Sequence, residues 1–359
     1  MLKSTELLKI INGDNKSLVA QITRWVLWLL TPIYRLAIVC RSLLFRLGVR
    51  KSVHAQLPVI SVGNLTTGGT GKTPFVIWLA GHLRQQGKRV AILSRGYGSD
   101  EDGLNDEARE LALRLPDVPN LINRDRCQSA TIALEELEME AVLLDDGFQH
   151  RQLKRDLDLV LIDATCPFGF GFVLPRGLMR EPPKALRRAD AIIVSRADGV
   201  PPNELKMLVE KIGRLAPEVP LASVRFAPQR WVQADGKFVM AEALAGKRIL
   251  SVCGIGNPMG FRQTLARLGC QVVSCQEYSD HHLYTAEDVA SIIKMSDECR
   301  AEVVVCTMKD LVKFNRNLLG DVPLYALEIA TVFDSGQELI ESMVGRVISR
   351  FEFRNDGYR

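Results

Sequence analysis

Two stretches of this chain carry residues whose types and spacing suit chemistry on phosphate. Residues 58–83 read PVISVGNLTTGGTGKTPFVIWLAGHL: an apolar run, a glycine-rich loop, then an amphipathic segment opening on Gly71-Lys72-Thr73. Glycines let successive backbone N–H groups curl around a phosphate, and a helix starting there adds the positive end of its dipole. Thr66, Thr67, Gly68, Gly69, Thr70, Gly71 and Lys72 are therefore candidates to hold the phosphates of a nucleotide, with the Thr73 hydroxyl as a ligand for Mg²⁺. The common pattern G-x-x-x-x-G-K-[ST] would place glycine at position 66, where this chain has Thr66; Gly68, Gly69 and Gly71 keep the cradle. The second stretch, AVLLDDGFQHRQLKRDLDLVLIDA from residue 141, sets Asp145 and Asp146 just beyond an apolar run. An aspartate at such a strand end holds Mg²⁺ in phosphate-loop proteins, directly or through water.

Other polar groupings are suggestive from chemistry alone. Ser94-Arg95-Gly96-Tyr97-Gly98 ends a strand-like run, and Asn105-Asp106-Glu107-Ala108 should open a helix, so Asp106 is either a residue near an N-cap or a functional carboxylate. Leu174-Pro-Arg-Gly-Leu-Met-Arg-Glu-Pro182 is rigid and rich in arginine. Asp280-His281-His282 precedes a helical pattern, and an aspartate beside a histidine can orient the imidazole and alter its basicity. A second glycine loop, Cys253-Gly-Ile-Gly-Asn-Pro-Met-Gly260, misses the dinucleotide spacing by one residue; a tight turn and a grip on substrate both remain open for it.

The elements that must position these residues alternate. Strand-like runs at Pro58–Val62, Arg89–Leu93, Ala141–Leu144, Leu157–Ile162 and Ala191–Val194 are followed by others at Leu221–Phe226, Arg248–Cys253, Gln271–Ser274, Glu302–Cys306 and Leu324–Ile329. Helical patterns fall between many of them, notably at Lys72–Gln86, Asp106–Leu115, Asn203–Leu215, Pro258–Leu268, Ala286–Cys299 and Gly336–Phe351. This predicts an α/β fold, with a P-loop NTPase-like parallel sheet carrying helices on both faces. The segment APQRWVQADGKFVM reads as a hairpin turning at Asp235-Gly236, and a domain junction is expected nearby. The expected division is a basic hydrophobic N-terminal membrane-associating segment over 1–56, a phosphate-loop core over 57–228, and a smaller C-terminal α/β domain over 229–359.

Composition narrows the partners. The 359 residues are 47% hydrophobic and 25% charged, which excludes a wholly disordered chain. The net charge of +4 hides an asymmetry: no acidic residue lies between Asp14 and Asp100, where Arg24, Arg35, Arg41, Arg46, Arg50 and Lys51 fall. Such a stretch attracts phosphate esters, nucleic acid or an acidic lipid surface. RWVLWLLTPIYRLAIVCRSLLFRLGVRK, from residue 24, is the most hydrophobic segment. Pro32 and Arg35 interrupt it, whereas a membrane span wants about 20 apolar residues in a row. A basic helix lying in a membrane interface fits it, with a helical hairpin packed on the main domain as the alternative. The opening residues lack the apolar core and cleavage site of a signal peptide. Eight cysteines without zinc spacing or a CxxC pair read as small core residues in a reducing compartment.

Taken together, VGNLTTGGTGKTP, LSRGYG, NDEA, NRDR, LLDDGFQHRQLKRDLDLVLIDA, LPRGLMREP, CGIGNPMGF, YSDHHLYTAED and CTMKDLVKF resemble the tetraacyldisaccharide 4'-kinase (lipid A 4'-kinase) family, in the family's order, over roughly residues 20 to 330. The phosphate loop is shared with many proteins; DDGFQHR together with RGLMREP is specific. The resemblance implies transfer of the γ-phosphate of ATP, with Mg²⁺, to the 4'-hydroxyl of a tetraacyldisaccharide 1-phosphate, giving lipid IVA. It implies that Lys72 and Thr73 hold phosphates and metal, that Asp145 and Asp146 serve metal and nucleotide with Gln149 nearby, and that Asp106 is the catalytic aspartate with His281 as its partner. Tyr97 and Glu181 match further active-site positions, and Arg176 and Arg180 are left as cations for the substrate's 1-phosphate. The family usually reads Gly-Asp-Glu-Pro where this chain has Asn105-Asp106-Glu107-Ala108. The partners implied are the lipid substrate and the anionic cytoplasmic face of a bacterial inner membrane, with no nucleic acid and no obligate protein partner. Two other readings compete: a regulatory P-loop GTPase, for which Ser195-Arg196-Ala197-Asp198 loosely mimics a guanine-reading element, and a noncatalytic membrane-binding module.

Overall fold

The computed structural model describes residues 4–96 and 106–356. In chain order the elements begin with α1 (Ser4–Asn12), α2 (Leu18–Arg46), β1 (Val59–Asn64), α3 (Lys72–Gln85), β2 (Val90–Ser94), α4 (Asp106–Arg114), β3 (Asn120–Ile122), α5 (Arg126–Glu135), β4 (Ala141–Asp145), β5 (Leu157–Asp163), β6 (Ala191–Ser195) and α6 (Pro202–Leu215). They continue with β7 (Leu221–Val232), β8 (Phe238–Met240), β9 (Arg248–Cys253), α7 (Pro258–Arg267), β10 (Gln271–Glu277), α8 (Ala286–Glu298), β11 (Val303–Thr307), α9 (Met308–Phe314), β12 (Leu318–Leu319), β13 (Val322–Ser335) and α10 (Gln337–Asp356).

Two compact units result: one of Met1–Arg95, Val118–Arg225 and Val332–Arg359, the other of Gly96–Asp117 and Phe226–Thr331. The grouping is discontinuous, unlike the 57–228 and 229–359 division expected from the sequence. Side-chain burial gives the reason. Helix α4 packs on α9, with Leu113 against the cluster of Val304, Leu311 and Phe314 and with Arg114 paired to Glu328 at 3.0 Å. Helix α10 buries Ile340, Val344, Val347 and Ile348 in the first unit.

In the first unit the strands run in the order β3-β2-β4-β1-β5-β6-β7, parallel throughout. β1, β2, β4, β5 and β6 are buried at every position, the pattern of parallel strands covered on both faces. Alternation divides those contacts: Val59, Ala91, Leu93, Val142 and Leu144 meet Ala130 and Ala133 of α5, while Val160, Ile162, Ile192 and Val194 meet Leu208 and Ile212 of α6. β1 is central, and its C-terminal end delivers the glycine loop at the crevice where connections leave to either side.

In the second unit the strand order is β10-β9-β11-β13-β7, parallel through β10, β9, β11 and β13. β8 folds back antiparallel on β7 through Asp235 and Gly236, the hairpin that the sequence predicts, with Gly236 at φ +83.

Helices α1 and α2 belong to the first unit. Arg24 ties them, donating to the carbonyls of Ile10 at 3.1 Å and Asn15 at 2.8 Å. Only Ala20, Thr31 and Ile38 of α2 are buried. Leu18, Ile22, Trp25, Leu29, Ile33 and Leu36, at three- and four-residue spacing, form an exposed apolar stripe; Trp25 is 66% exposed.

Two glycines record how closely the first unit packs around β1. A Cβ on Gly63 would lie 2.6 Å from the backbone nitrogen and Cβ of Phe148, and one on Gly147 would lie 2.4 Å from Ser61 Oγ. Gly63→Ala should therefore lower the unfolding free energy by about 1–3 kcal/mol through overpacking, read by urea titration. An unchanged midpoint would show that the two backbones can part at no cost.

Candidate active site

The glycine loop is held open from outside. Gly68 and Gly71 take φ of +107 and +84, a region that side-chain-bearing residues rarely adopt, so these two positions require glycine. The Asn64 side chain reaches back to donate to Thr70 Oγ1 at 3.1 Å, and Ser195 Oγ, at the end of β6, donates to the Thr70 carbonyl at 2.7 Å. A strap formed by residues 174–181 runs beside the loop: Thr67 N donates to the Leu178 carbonyl at 2.7 Å, and Arg180 N donates to the Leu65 carbonyl at 2.8 Å. Gly71 then caps α3, so that Lys72 and Thr73 open the helix, Thr73 being buried.

The acidic pair arrives by strand register. β4 pairs with β1 so that Asp145 lies beside Val62, and Asp146 follows at φ +54, a conformation aspartate tolerates better than most residues. Asp146 is bracketed by cations: Lys72 Nζ lies 3.3 Å from one oxygen and Arg180 Nη1 2.6 Å from the other. Burial alone would raise its pKa, but Lys72 and then Arg180 outweigh that and hold the carboxyl below its ordinary range. Gln149 completes the group, donating to the Asn64 carbonyl at 3.0 Å and lying 3.3 Å from Arg180.

The donors near the loop are hydroxyl and carboxylate oxygens of Thr73, Asp145 and Asp146, the set that suits Mg²⁺. No three potential ligands among Asp, Glu, His and Cys converge among the described residues.

Arg176 and Arg180 differ from expectation. The two arginines do not stand free for a substrate phosphate: Arg180 is spent on Asp146 and Gln149, and Arg176 donates to the Ile11 carbonyl near the end of α1 at 2.8 Å. Glu181 is 2% exposed and bound by Arg41 of α2 at 3.2 Å and by Arg188 at 2.7 Å, so it ties the strap to α2. A buried carboxylate needs such partners to stay charged. Tyr97 and Asn105 lie outside the described residues.

Within the second unit, residues far apart in sequence form one polar cluster. Asp106, in the first turn of α4, lies 3.0 Å from His281 Nδ1 and 2.8 Å from Lys313 Nζ, both on Oδ2. The second glycine loop sets the histidine: Gly254 accepts from the backbone N of His281 at 3.2 Å, and its own N–H donates to buried Asp310 at 3.1 Å. Asp310 also accepts from Tyr284 at 2.9 Å and Thr307 at 2.6 Å. The glycine loop is thus a frame for the 278–284 segment. His281 itself is at φ +61 and 60% exposed. Its hydrogen bond to Asp106 raises its pKa, against burial and Lys309. For Asp106, burial pushes upward, yet the contacts with His281 and Lys313 win and the carboxyl is held low.

These features correspond to known proteins. A family profile described as tetraacyldisaccharide-1-P 4'-kinase matches residues 23–348. The chain belongs to this family. Among curated members, the tetraacyldisaccharide 4'-kinase of Halothermothrix orenii is 34% identical over 87% of this chain and 88% of its own length. That of Anaeromyxobacter sp. strain K is 40% identical over 79% and 80%. A crystal structure of LpxK from Aquifex aeolicus in complex with ATP superposes with a TM-score of 0.74 at 29% identity, covering 91% of this chain and 99% of that one. The matched range includes the loop, the acidic pair, the strap and the Asp106 cluster. Sequence reasoning passed over Ser195 as a brace for the loop, and Asp310 and Lys313 in CTMKDLVKF. The four-residue spacing of Lys309 and Lys313 on one helix face was the available signal.

The pH behaviour of the cluster follows from these directions. His281 is raised, so its contribution to stability is complete below its unfolded pKa near 6.5 and is lost as pH rises through the folded value. Asp106 is lowered, so its side of the pair persists until acid reaches a folded value below 3.8. The His281 ring should therefore titrate above 6.5 by NMR, and its midpoint should fall in Asp106→Asn. An identical midpoint in both proteins would show that the contact carries no charge coupling.

Proposed function

We propose that this chain is an ATP-dependent kinase that phosphorylates the 4'-hydroxyl of a tetraacyldisaccharide 1-phosphate, working at an anionic membrane surface. The observation that carries the reading is a strapped phosphate loop with its Lys72–Asp146 pair, in a chain that matches the family over residues 23–348. Phosphoryl transfer depends on positioning and charge neutralisation more than on covalent help. Lys72 exchanges Asp146 for the β- and γ-phosphate oxygens of ATP, and the N–H groups of residues 68–73 share that charge. Thr73 and the Asp145–Asp146 pair would hold Mg²⁺, which would supply charge neutralisation at the phosphates. Arg180 keeps Asp146 and Gln149 in place. Asp106 accepts the proton of the sugar hydroxyl, and His281 orients the carboxylate. A base of low pKa suffices, because the hydroxyl proton leaves late in transfer.

A nucleotide-hydrolysing switch is less well supported. Ser195 is engaged with Thr70, and Arg196 with Asp163, so the segment resembling a guanine reader has other work. ATP labelled in the γ-phosphate, with the lipid in detergent micelles, should label the lipid and release little phosphate without it. Lys72→Ala should abolish labelling while leaving thermal unfolding near wild type. Hydrolysis at full rate without lipid would support the switch instead.

Asp106→Ala and His281→Ala should each lower turnover by a large and similar factor, roughly 10²-fold or more for a positioned base. The double variant should lose little more, because groups sharing one task are non-additive. Independent, multiplicative losses would separate the two residues.

The α2 stripe supports membrane association. The helix is 29 residues long and apolar enough by length and composition to cross a bilayer. Its attachment along one face, through Tyr34 to the Arg180 carbonyl at 3.2 Å and Arg41 to Glu181, favours lying on the surface. Replacing Trp25, Leu29 and Ile33 with serine should weaken binding to anionic vesicles in sedimentation. Equal binding would assign the stripe another role.

A further inference from the structure

We propose that Lys313 is a positioning residue for the Asp106 base, fixing its Oδ2 oxygen so that Oδ1 is the one that meets the substrate hydroxyl. The inference rests on the reading of Asp106 as the base, and deepens it. Lys313 lies on α9 with its side chain 3% exposed, and its ammonium is 2.8 Å from Asp106 Oδ2. His281 Nδ1 reaches the same oxygen from the 278–284 segment at 3.0 Å. An ammonium and an imidazole nitrogen therefore converge on one oxygen of a carboxylate whose side chain is 14% exposed. A lysine is rarely buried so fully without a paired charge, because its ammonium loses its hydration.

The two contacts differ in what they can do. His281 is 60% exposed and changes charge within the working pH range. Lys313 is buried, with its ammonium held 2.8 Å from Oδ2, so it supplies the fixed contact of the two. It is also rigidly placed. Leu311 and Phe314 of α9 are buried in the second unit's core, and Asp310 anchors the first turn of that helix through Thr307, Tyr284 and the Gly254 N–H. At the other end of α4, Arg114 bonds Glu328 at 3.0 Å and the Ile329 carbonyl at 2.8 Å, which fixes how far Asp106 reaches. Among the described residues, the other charges around the cluster include Lys309 paired to Glu107 at 3.1 Å, Asp280 at 3.9 Å from His281 Nε2, buried Asp310, and Glu110 beside Arg114. Lys309 already has its partner in Glu107, so it does not replace Lys313 at Asp106.

The test compares Lys313→Met, Lys313→Arg and His281→Ala in the full chain, using the lipid phosphorylation assay across pH and ¹³C NMR of the Asp106 carboxyl. Lys313→Met should move the acid limb of kcat/KM and the Asp106 titration upward by about 1–3 pH units, the effect of removing a close opposite charge. It should lower kcat by roughly tenfold or more and leave KM for ATP unchanged. Lys313→Arg keeps the charge, so the acid limb should stay in place with kcat partly restored. In His281→Ala, Asp106 should still titrate below its ordinary value, because Lys313 remains. A rate loss in Lys313→Met with the profile unmoved, or an ordinary Asp106 titration in His281→Ala, would overturn the inference. Should Lys313→Met not fold, the last measurement decides by itself. Full activity in Asp106→Asn would instead remove the base reading, whatever the lysine variants do.

Discussion

The first unit depends on a close approach of two backbones. β1 and the chain just after β4 come so near that Gly63 faces the backbone of Phe148 and Gly147 faces the Ser61 hydroxyl, with no room for a Cβ on either. That contact sets Asp145 beside Val62 and turns Asp146 back towards the helix that begins at Lys72. A phosphate loop needs its amides aimed and its carboxylates within reach, and neither can be supplied by long flexible side chains without entropic cost. Here the backbone contact supplies the distance, and hydrogen bonds from Asn64, Ser195 and the strap supply the aim. The Lys72–Asp146–Arg180 row is then the consequence of where those atoms are delivered.

The Asp106 cluster obeys a different logic. Its three members come from the start of α4, the segment after β10, and α9, so no local signal could join them. What joins them is burial beneath: Asp310 gathers Tyr284, Thr307 and Gly254, and Arg114 gathers Glu328 and Ile329. Both are polar groups that must be satisfied once the apolar surface around them is removed from water. The visible pair of Asp106 and His281 is therefore the exposed tip of a buried network.

How much of this was legible follows from the range of each interaction. Strands buried at every residue, such as β1 and β5, announce themselves through their valines, leucines and isoleucines, and the glycine loop with Lys72 and Thr73 is encoded in consecutive residues. Helix α5 was passed over because RCQSATIALE has almost no amphipathic contrast; it buries small residues, Ala130 and Ala133, against the sheet. Helix α9 is short, MKDLVKF, and gives too few turns for a period to show. The discontinuous units escaped because the pairing of Arg114 with Glu328 spans more than two hundred residues. Arg176 and Arg180 looked like spare cations because a sequence shows charge and not the carbonyl or carboxylate already facing it.

The strap explains why α2 and the phosphate loop belong to one description. Within residues 174–181 the backbone braces the loop through Leu178 and Arg180, the Arg180 side chain holds Asp146, and the neighbouring Glu181 receives Arg41 of α2. The Arg180 carbonyl in turn accepts the Tyr34 hydroxyl from the same helix. A helix that shows most of its apolar surface to solvent is costly to retain unless something covers or uses that surface. Its polar contacts are few and fall on two adjacent strap residues, so the helix is referenced to the loop and not merely to the body of the unit. A lipid surface met by the Trp25–Leu36 stripe would thereby stand at a fixed place relative to Lys72, the geometric condition that the proposed action at a membrane surface requires.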